Sequence, residues 1–178
     1  MRFKVTANSA GDVGISKFSI TVATTTATVT GLNIFAYTDS SYSTPVSGLT
    51  ADGRMLSSNN TAWASSSTQL EFYAQTSAAA STTLQIPAGT TRYFEVVGSV
   101  SGATSGASIT TTLLGDAAYP SLSGFDSTAA LIDADTNDDV IWSPNTTGQS
   151  AVTDADWVNG FGLVGLPSGG NSVTRSAN

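Results

Sequence analysis

Apolar and polar residues alternate with a period of two along the first two thirds of the chain. Phe18, Ile20 and Val22 alternate with Lys17, Ser19 and Thr21. In an extended strand this places the apolar trio on one face and the polar trio on the other. The same reading sets Leu32, Ile34 and Ala36 against Asn33, Phe35 and Tyr37. It sets Leu70, Phe72 and Ala74 against Glu71, Tyr73 and Gln75, and Ile109, Thr111 and Leu113 against Thr110, Thr112 and Leu114. Half-buried antiparallel strands carry this pattern.

Turn-forming clusters separate the strands: Asn8 to Asp12, Thr38 to Ser41, Asp52-Gly53, Pro87-Ala88-Gly89 and Ser101-Gly102. Glycine tolerates positive φ there, and Asp and Ser side chains fold back on the backbone. Ser77 to Ala80 could form one helical turn, too short to alter the class. No long helical period competes, so the chain predicts an all-β, two-layer antiparallel β-sandwich of immunoglobulin-like or jelly-roll type. A closed barrel is the alternative. Arg2 and Lys4 fall in the first candidate strand, where charges suit an edge strand, although two solvated side chains explain them as simply.

After about Gly115 the alternation fades, Asp becomes dense, and Trp142 and Trp157 appear with Pro120, Pro144 and Pro167. The stretch has too few apolar residues for a core of its own. It is therefore expected as an Asp- and Trp-rich, loop-dominated extension, about 116–178, packed on a sandwich core of about 2–115. Residues 1–178 then form one domain.

Composition changes this picture mainly by exclusion. The 178 residues include no His and no Cys, against 53 Ser and Thr. That removes the commonest general base, the thiol nucleophile and most transition-metal ligation. A Ser-His-Asp triad cannot be assembled without His. The net charge of −7 leaves no basic stripe for phosphates, so nucleic acid is not expected as a partner. No apolar run approaches the roughly 20 residues that a spanning helix needs, so membrane insertion is not expected. The richness in Ser, Thr, Gly and Ala points to an exported bacterial surface protein. The first residues enter strand alternation with no hydrophobic signal region, so a secreted form is expected to be an excised piece of a longer chain.

Three constellations could carry chemistry. Asp133, Asp135, Asn137 and Asp139 place oxygen donors at alternate positions, as in the opening half of a calcium loop. The second half departs from an EF-hand, with Asp138 where Gly belongs and Pro144 where Glu belongs. A looser calcium site would draw on Asp154 or Asp156, whereas an acidic, solvated loop explains the same residues without metal. Glu71 and Glu95 are the sole glutamates, hence the only Glu pair for a glycosidase, but outward-facing strand residues account for them better. Among the aromatic residues, Trp63, Trp142 and Trp157 could stack on sugar faces, or equally anchor core and loops. Lys4 and Lys17 raise the internal Lys-Asn amide of some surface sandwiches resembling pilin domains, but linear spacing identifies no such triad.

Longer phrases add a resemblance. Arg2 to Gly14 (RFKVTANSAGDVG), Ile86 to Val96 (IPAGTTRYFEV), Asp139 to Asn145 (DVIWSPN) and Asp156 to Gly162 (DWVNGFG) resemble a domain of large secreted surface proteins of Parcubacteria-type candidate-phylum bacteria. The resemblance spans nearly the whole chain and brings no catalytic residues with it. It implies an extracellular β domain near the end of a longer, multidomain chain. The expected function is thus a non-enzymatic structural or adhesion domain at the cell surface, with calcium at the acidic loop as a candidate stabiliser. Its partners would be neighbouring copies or domains of the same protein, or a cell-surface partner. The alternative is a glycan-binding module working through Trp63, Trp142 and Trp157.

Calcium at about a hundred times its dissociation constant adds about 2.7 kcal/mol to a native-state site, a Tm rise of several degrees for a domain of this size. Thermal melts in EDTA and in excess calcium are expected to show that rise, and Asp133→Ala with Asp135→Ala to abolish it. Identical melts would return these aspartates to solvated turns.

Overall fold

The computed structural model describes residues 1–57, 63–64, 68–77, 80–119, 137–145 and 156–177. The chain is all-β. Its strands, in order, are β1 (Arg2–Thr6), β2 (Val13–Thr25), β3 (Thr28–Tyr37), β4 (Arg54–Ser57), β5 (Trp63–Ala64), β6 (Thr68–Tyr73) and β7 (Gln75–Ser77). They continue with β8 (Ala80–Ser81), β9 (Leu84–Ile86), β10 (Thr91–Ser101), β11 (Ser108–Leu113), β12 (Val140–Ser143), β13 (Val158–Asn159) and β14 (Asn171–Ser176). All but β7 and β8 join one curled antiparallel sheet whose main path runs β1-β10-β3-β4-β6-β2-β11-β14.

The predicted alternation fixes the core. Phe18, Ile20, Val22, Leu32, Ile34, Ala36, Leu70, Phe72 and Ala74 are all buried in one hydrophobic cluster. Phe94 of β10 stacks on Phe3 of β1 with centroids 4.9 Å apart. Phe18 of β2 meets both rings edge-on, at 5.2 and 5.1 Å. Rings from opposite parts of the strand path therefore converge, and the curl of the sheet has a specific aromatic centre.

β2 organises the sheet because each of its edges serves two partners. One edge pairs β9 along Val13–Ile15 and β6 along Lys17–Val22. The other pairs β12 along Gly14–Phe18 and β11 along Ile20–Thr25. Against β12 the register slips: Ile141 faces Lys17, but Trp142 faces Ile15. Ser16 is thus the extra residue of a β-bulge, and its carbonyl accepts the Ala74 N–H at 2.8 Å from the other side. The bulge shifts the phase of alternation, so Ile15 joins the same core as Phe18 although their spacing is odd.

Two expectations change. Ser77 and Ala80 pair across the antiparallel strands β7 and β8, so they do not belong to a helical turn. The region after Gly115, expected as a packed extension dominated by loops, also supplies the short strands β12, β13 and β14, with β12 and β14 hydrogen-bonded to β2 and β11. Lys17 and Ser19 were expected on a solvated face, yet both are fully buried. Over Gly14–Ile20 their strand is covered on both faces, because residues from the C-terminal third lie over the polar one. Arg2 does lie on an end strand of the path, where it remains exposed, pairs with Glu95 at 2.8 Å and stacks its guanidinium over Tyr42 at 4.1 Å.

Candidate functional site

Residues directly opposed in a ladder project from the same face of a sheet. Lys17 opposes Tyr73 on β6 and Ile141 on β12, while Ser19 opposes Glu71 and Thr21 opposes Gln69. These side chains share the outer face, away from Phe18, Ile20 and Phe72. Tyr73 and Ile141 form a second apolar cluster with Trp157, and this cluster roofs the polar residues beside it.

At its centre the Lys17 ammonium lies 2.6 Å from Asp138 Oδ2 and 2.9 Å from Glu71 Oε1. The Tyr73 hydroxyl donates to Glu71 Oε2 at 2.8 Å. The lysine side chain is 0% exposed and that of Asp138 7%, while Glu71 retains 30%. Burial works to raise the Glu71 carboxyl, but the Lys17 hydrogen bond and charge outweigh it and hold that carboxyl below the usual range. Burial, with the hydrogen bond and charge of Glu71, pushes the Tyr73 phenol up. Tyr73 therefore remains a donor across the physiological range.

A second buried acid holds the covering segment in place. Asp116 accepts the backbone N–H groups of Asp139 at 2.8 Å, Val140 at 3.2 Å and Gly160 at 2.8 Å. Position 160 must be Gly, since a Cβ there would stand 2.8 Å from Asp116 Oδ2 and 3.0 Å from Val140 Cβ. Asn159 donates to the carbonyls of Ala118 and Asn137, both at 2.7 Å. Ser19 N–H donates to the Asp139 carbonyl at 2.7 Å, completing the seam between β2 and the segment before β12.

Of the expected calcium ligands, Asn137 and Asp139 fall within this seam. The carbonyl of Asn137 serves Asn159, and Asp139 Oδ1 accepts Gln69 Nε2 at 2.9 Å. Asp133, Asp135 and Asp154 lie outside the described residues, and Asp156 accepts the Ser143 hydroxyl. Among the described residues no three of His, Cys, Asp and Glu gather into a metal-holding group. Glu71 and Glu95 sit on β6 and β10, which are separated in the strand path by β3 and β4. One faces Lys17 and the other Arg2.

Among the expected sugar-stacking rings, Trp157 is 2% exposed and belongs to the roof, which leaves no face for a ligand. Trp142 is half-buried, its indole N–H donating to the Asn159 carbonyl at 2.8 Å. It lines a groove of about 840 Å³ with Phe3, Pro144, Leu163, Val164 and Leu166. Trp63 is placed by its backbone on β5, opposite Val29. The sequence reading missed Asp116, Asn159 and the role of Asp138. The signal for Asp138 was present as the misfit in the calcium pattern.

The chain matches no protein-family model, no curated protein and no solved structure in the three comparisons made with known proteins.

Two outcomes follow from the seam. A buried donor left without an acceptor costs about 1–3 kcal/mol, so Asp116→Ala, which strands three, is expected to lower the unfolding free energy in urea by at least about 3 kcal/mol. A loss below about 1 kcal/mol would contradict the assignment. Asp139 is also informative: burial and then the Asp116 charge raise its carboxyl from 3.8 to about 6. Between these values the folded state binds more protons than the unfolded state, so stability falls as pH rises through that window. Asp139→Asn is expected to flatten the fall by about 1 kcal/mol between pH 4 and pH 7, allowing for solvent screening of a half-buried group. Equal pH dependence in both proteins would contradict it.

Proposed function

We propose that this chain is a non-enzymatic structural or adhesion domain displayed outside a bacterial cell, in which the curled sheet is a two-layer β-sandwich. The observation that carries this reading is where the charged chemistry is spent. Lys17, Asp138 and Asp116 are all buried, where they fasten a distant segment onto the central strand. A mechanical module needs such fastenings.

Other features support the same reading. Phe3 and Phe94 pack on Phe18 from across the strand path, as the inner faces of two layers would. Toward solvent, neighbouring strands exchange hydroxyl contacts: Thr6 with Thr91 at 2.9 Å, Thr110 with Thr174 at 2.8 Å and Thr112 with Ser172 at 2.7 Å. Such faces are wettable with little charge, and the end strands β1 and β14 offer backbone groups for pairing with another chain. The resemblance to secreted surface proteins points the same way.

A second reading rests on the groove beside Trp142. Its apolar wall and half-buried indole suit a sugar ring, which makes glycan binding the competing function. Sedimentation velocity over a concentration series, run beside a glycan array, separates the two. The surface-domain reading expects mass-action self-association and no saturable glycan binding. A domain that stays monomeric throughout would overturn the contact role, and saturable glycan binding lost in Trp142→Ala would establish the sugar reading in its place.

A further inference from the structure

We propose that Lys17 and Asp138 are joined by a side-chain amide bond, formed within the folded chain with Glu71 as the proton carrier. The inference stands on geometry and is independent of the surface role. A lysine nitrogen, a carboxyl group and a second acid are in contact at one site, the first two of them buried.

The nucleophile is held on target. Nζ of Lys17 lies 2.6 Å from Asp138 Oδ2, one bond from the Asp138 Cγ it would attack. Two reacting groups held in this way gain the advantage of an intramolecular reaction over an encounter in solution. On either side the lysine is confined by Tyr73 and Ile141, its cross-strand neighbours, and the Tyr73 ring centroid is 5.9 Å from Nζ. A lysine amine held out of water beside a carboxyl group can act as a nucleophile.

The remaining acid is placed for proton transfer. Glu71 Oε1 is 2.9 Å from Nζ, and its other oxygen is held at 2.8 Å by the Tyr73 hydroxyl. General acid-base catalysis requires this hydrogen-bond reach. The step balances without any co-reactant. One proton passes from the Lys17 ammonium to the Asp138 carboxylate, and the freed lone pair attacks Cγ to form the C–N bond. Glu71 takes a second proton from nitrogen and delivers it to the departing hydroxyl. The C–O bond breaks, one water leaves, Glu71 returns to its starting state, and the amide retains one N–H.

The bond would close a loop between strand β2 and the segment before β12, which stand 121 residues apart in sequence. Covalent closure of so long a loop restricts the unfolded chain and secures the covering segment against being pulled away.

Intact-mass spectrometry of the purified full chain, with tandem sequencing of its proteolytic peptides, tests this. The expected result is a mass lower than the sequence mass by one water, and a branched peptide joining the Lys17 and Asp138 segments. Lys17→Met and Asp138→Ala are expected to restore the full mass. Glu71→Gln, checked as folded by circular dichroism, is expected to stay unlinked. Asp52-Gly53 can lose the same mass by succinimide formation, but it then yields a linear peptide and no branch. Full mass in the wild type, a water loss without the branched peptide, or a loss that survives Lys17→Met would overturn the bond. Linkage in Glu71→Gln at the wild-type extent would overturn the role of Glu71.

Discussion

Until the proposed amide forms, Lys17 is buried as an ammonium, and that burial is the constraint on which the rest of the structure depends. Removing an ion of this kind from water costs several kcal/mol even after the protein relaxes, and the interior must return that cost through well-placed partners. Two carboxylates do so here, one from the adjacent strand β6 and one from the segment leading into β12. Removing Asp138, the buried partner, would leave a charge without full compensation, typically a loss of about 3–5 kcal/mol for a broken buried pair. The register of β2 with β6, the bulge at Ser16 and the position of the C-terminal third are therefore a single arrangement, coupled through one nitrogen atom.

The bulge shows how local geometry meets that constraint. On the β12 side it skips Ser16, so Lys17 stays on the outer face while Ile15 turns inward beside Leu84 and Ile86. The change of phase is written in the sequence: apolar residues occupy 13 and 15, then 18, 20 and 22. A strand that alternates without interruption would place either Ile15 or Phe18 on the wrong side. Asp116 does comparable work for the backbone, gathering three N–H groups that the covering segment would otherwise bury without partners.

Local pattern made most of the strands legible, because period-two alternation reports which side chains leave water. It identified β2, β3, β6 and β11 and the inward residues on them. Alternation does not report what covers the other face, and so Lys17 and Ser19 read as solvated when they are fully buried. The information lay in a segment more than a hundred residues away, whose density of aspartate read as a calcium loop. The residue that spoiled that pattern, Asp138, is the one that meets Lys17. Trp157 misled for a related reason: an aromatic ring suits a sugar platform and a buried roof equally well, and only the fold decides between them.

The segment before β12 and the Asn159-Gly160 turn are held to β2 and to one another by buried charge and by the seam at Asp116. Amide hydrogen exchange measures that claim most directly, because it reads the opening free energy of each hydrogen bond. The amides of Asp139, Val140 and Gly160 are predicted to exchange as slowly as those of Ile20 and Leu70 in the central strands, opening only with global unfolding. Fast exchange at 139, 140 and 160 beside a protected β2 and β6 would contradict the account, since the segment would then dock and release without unfolding the sheet.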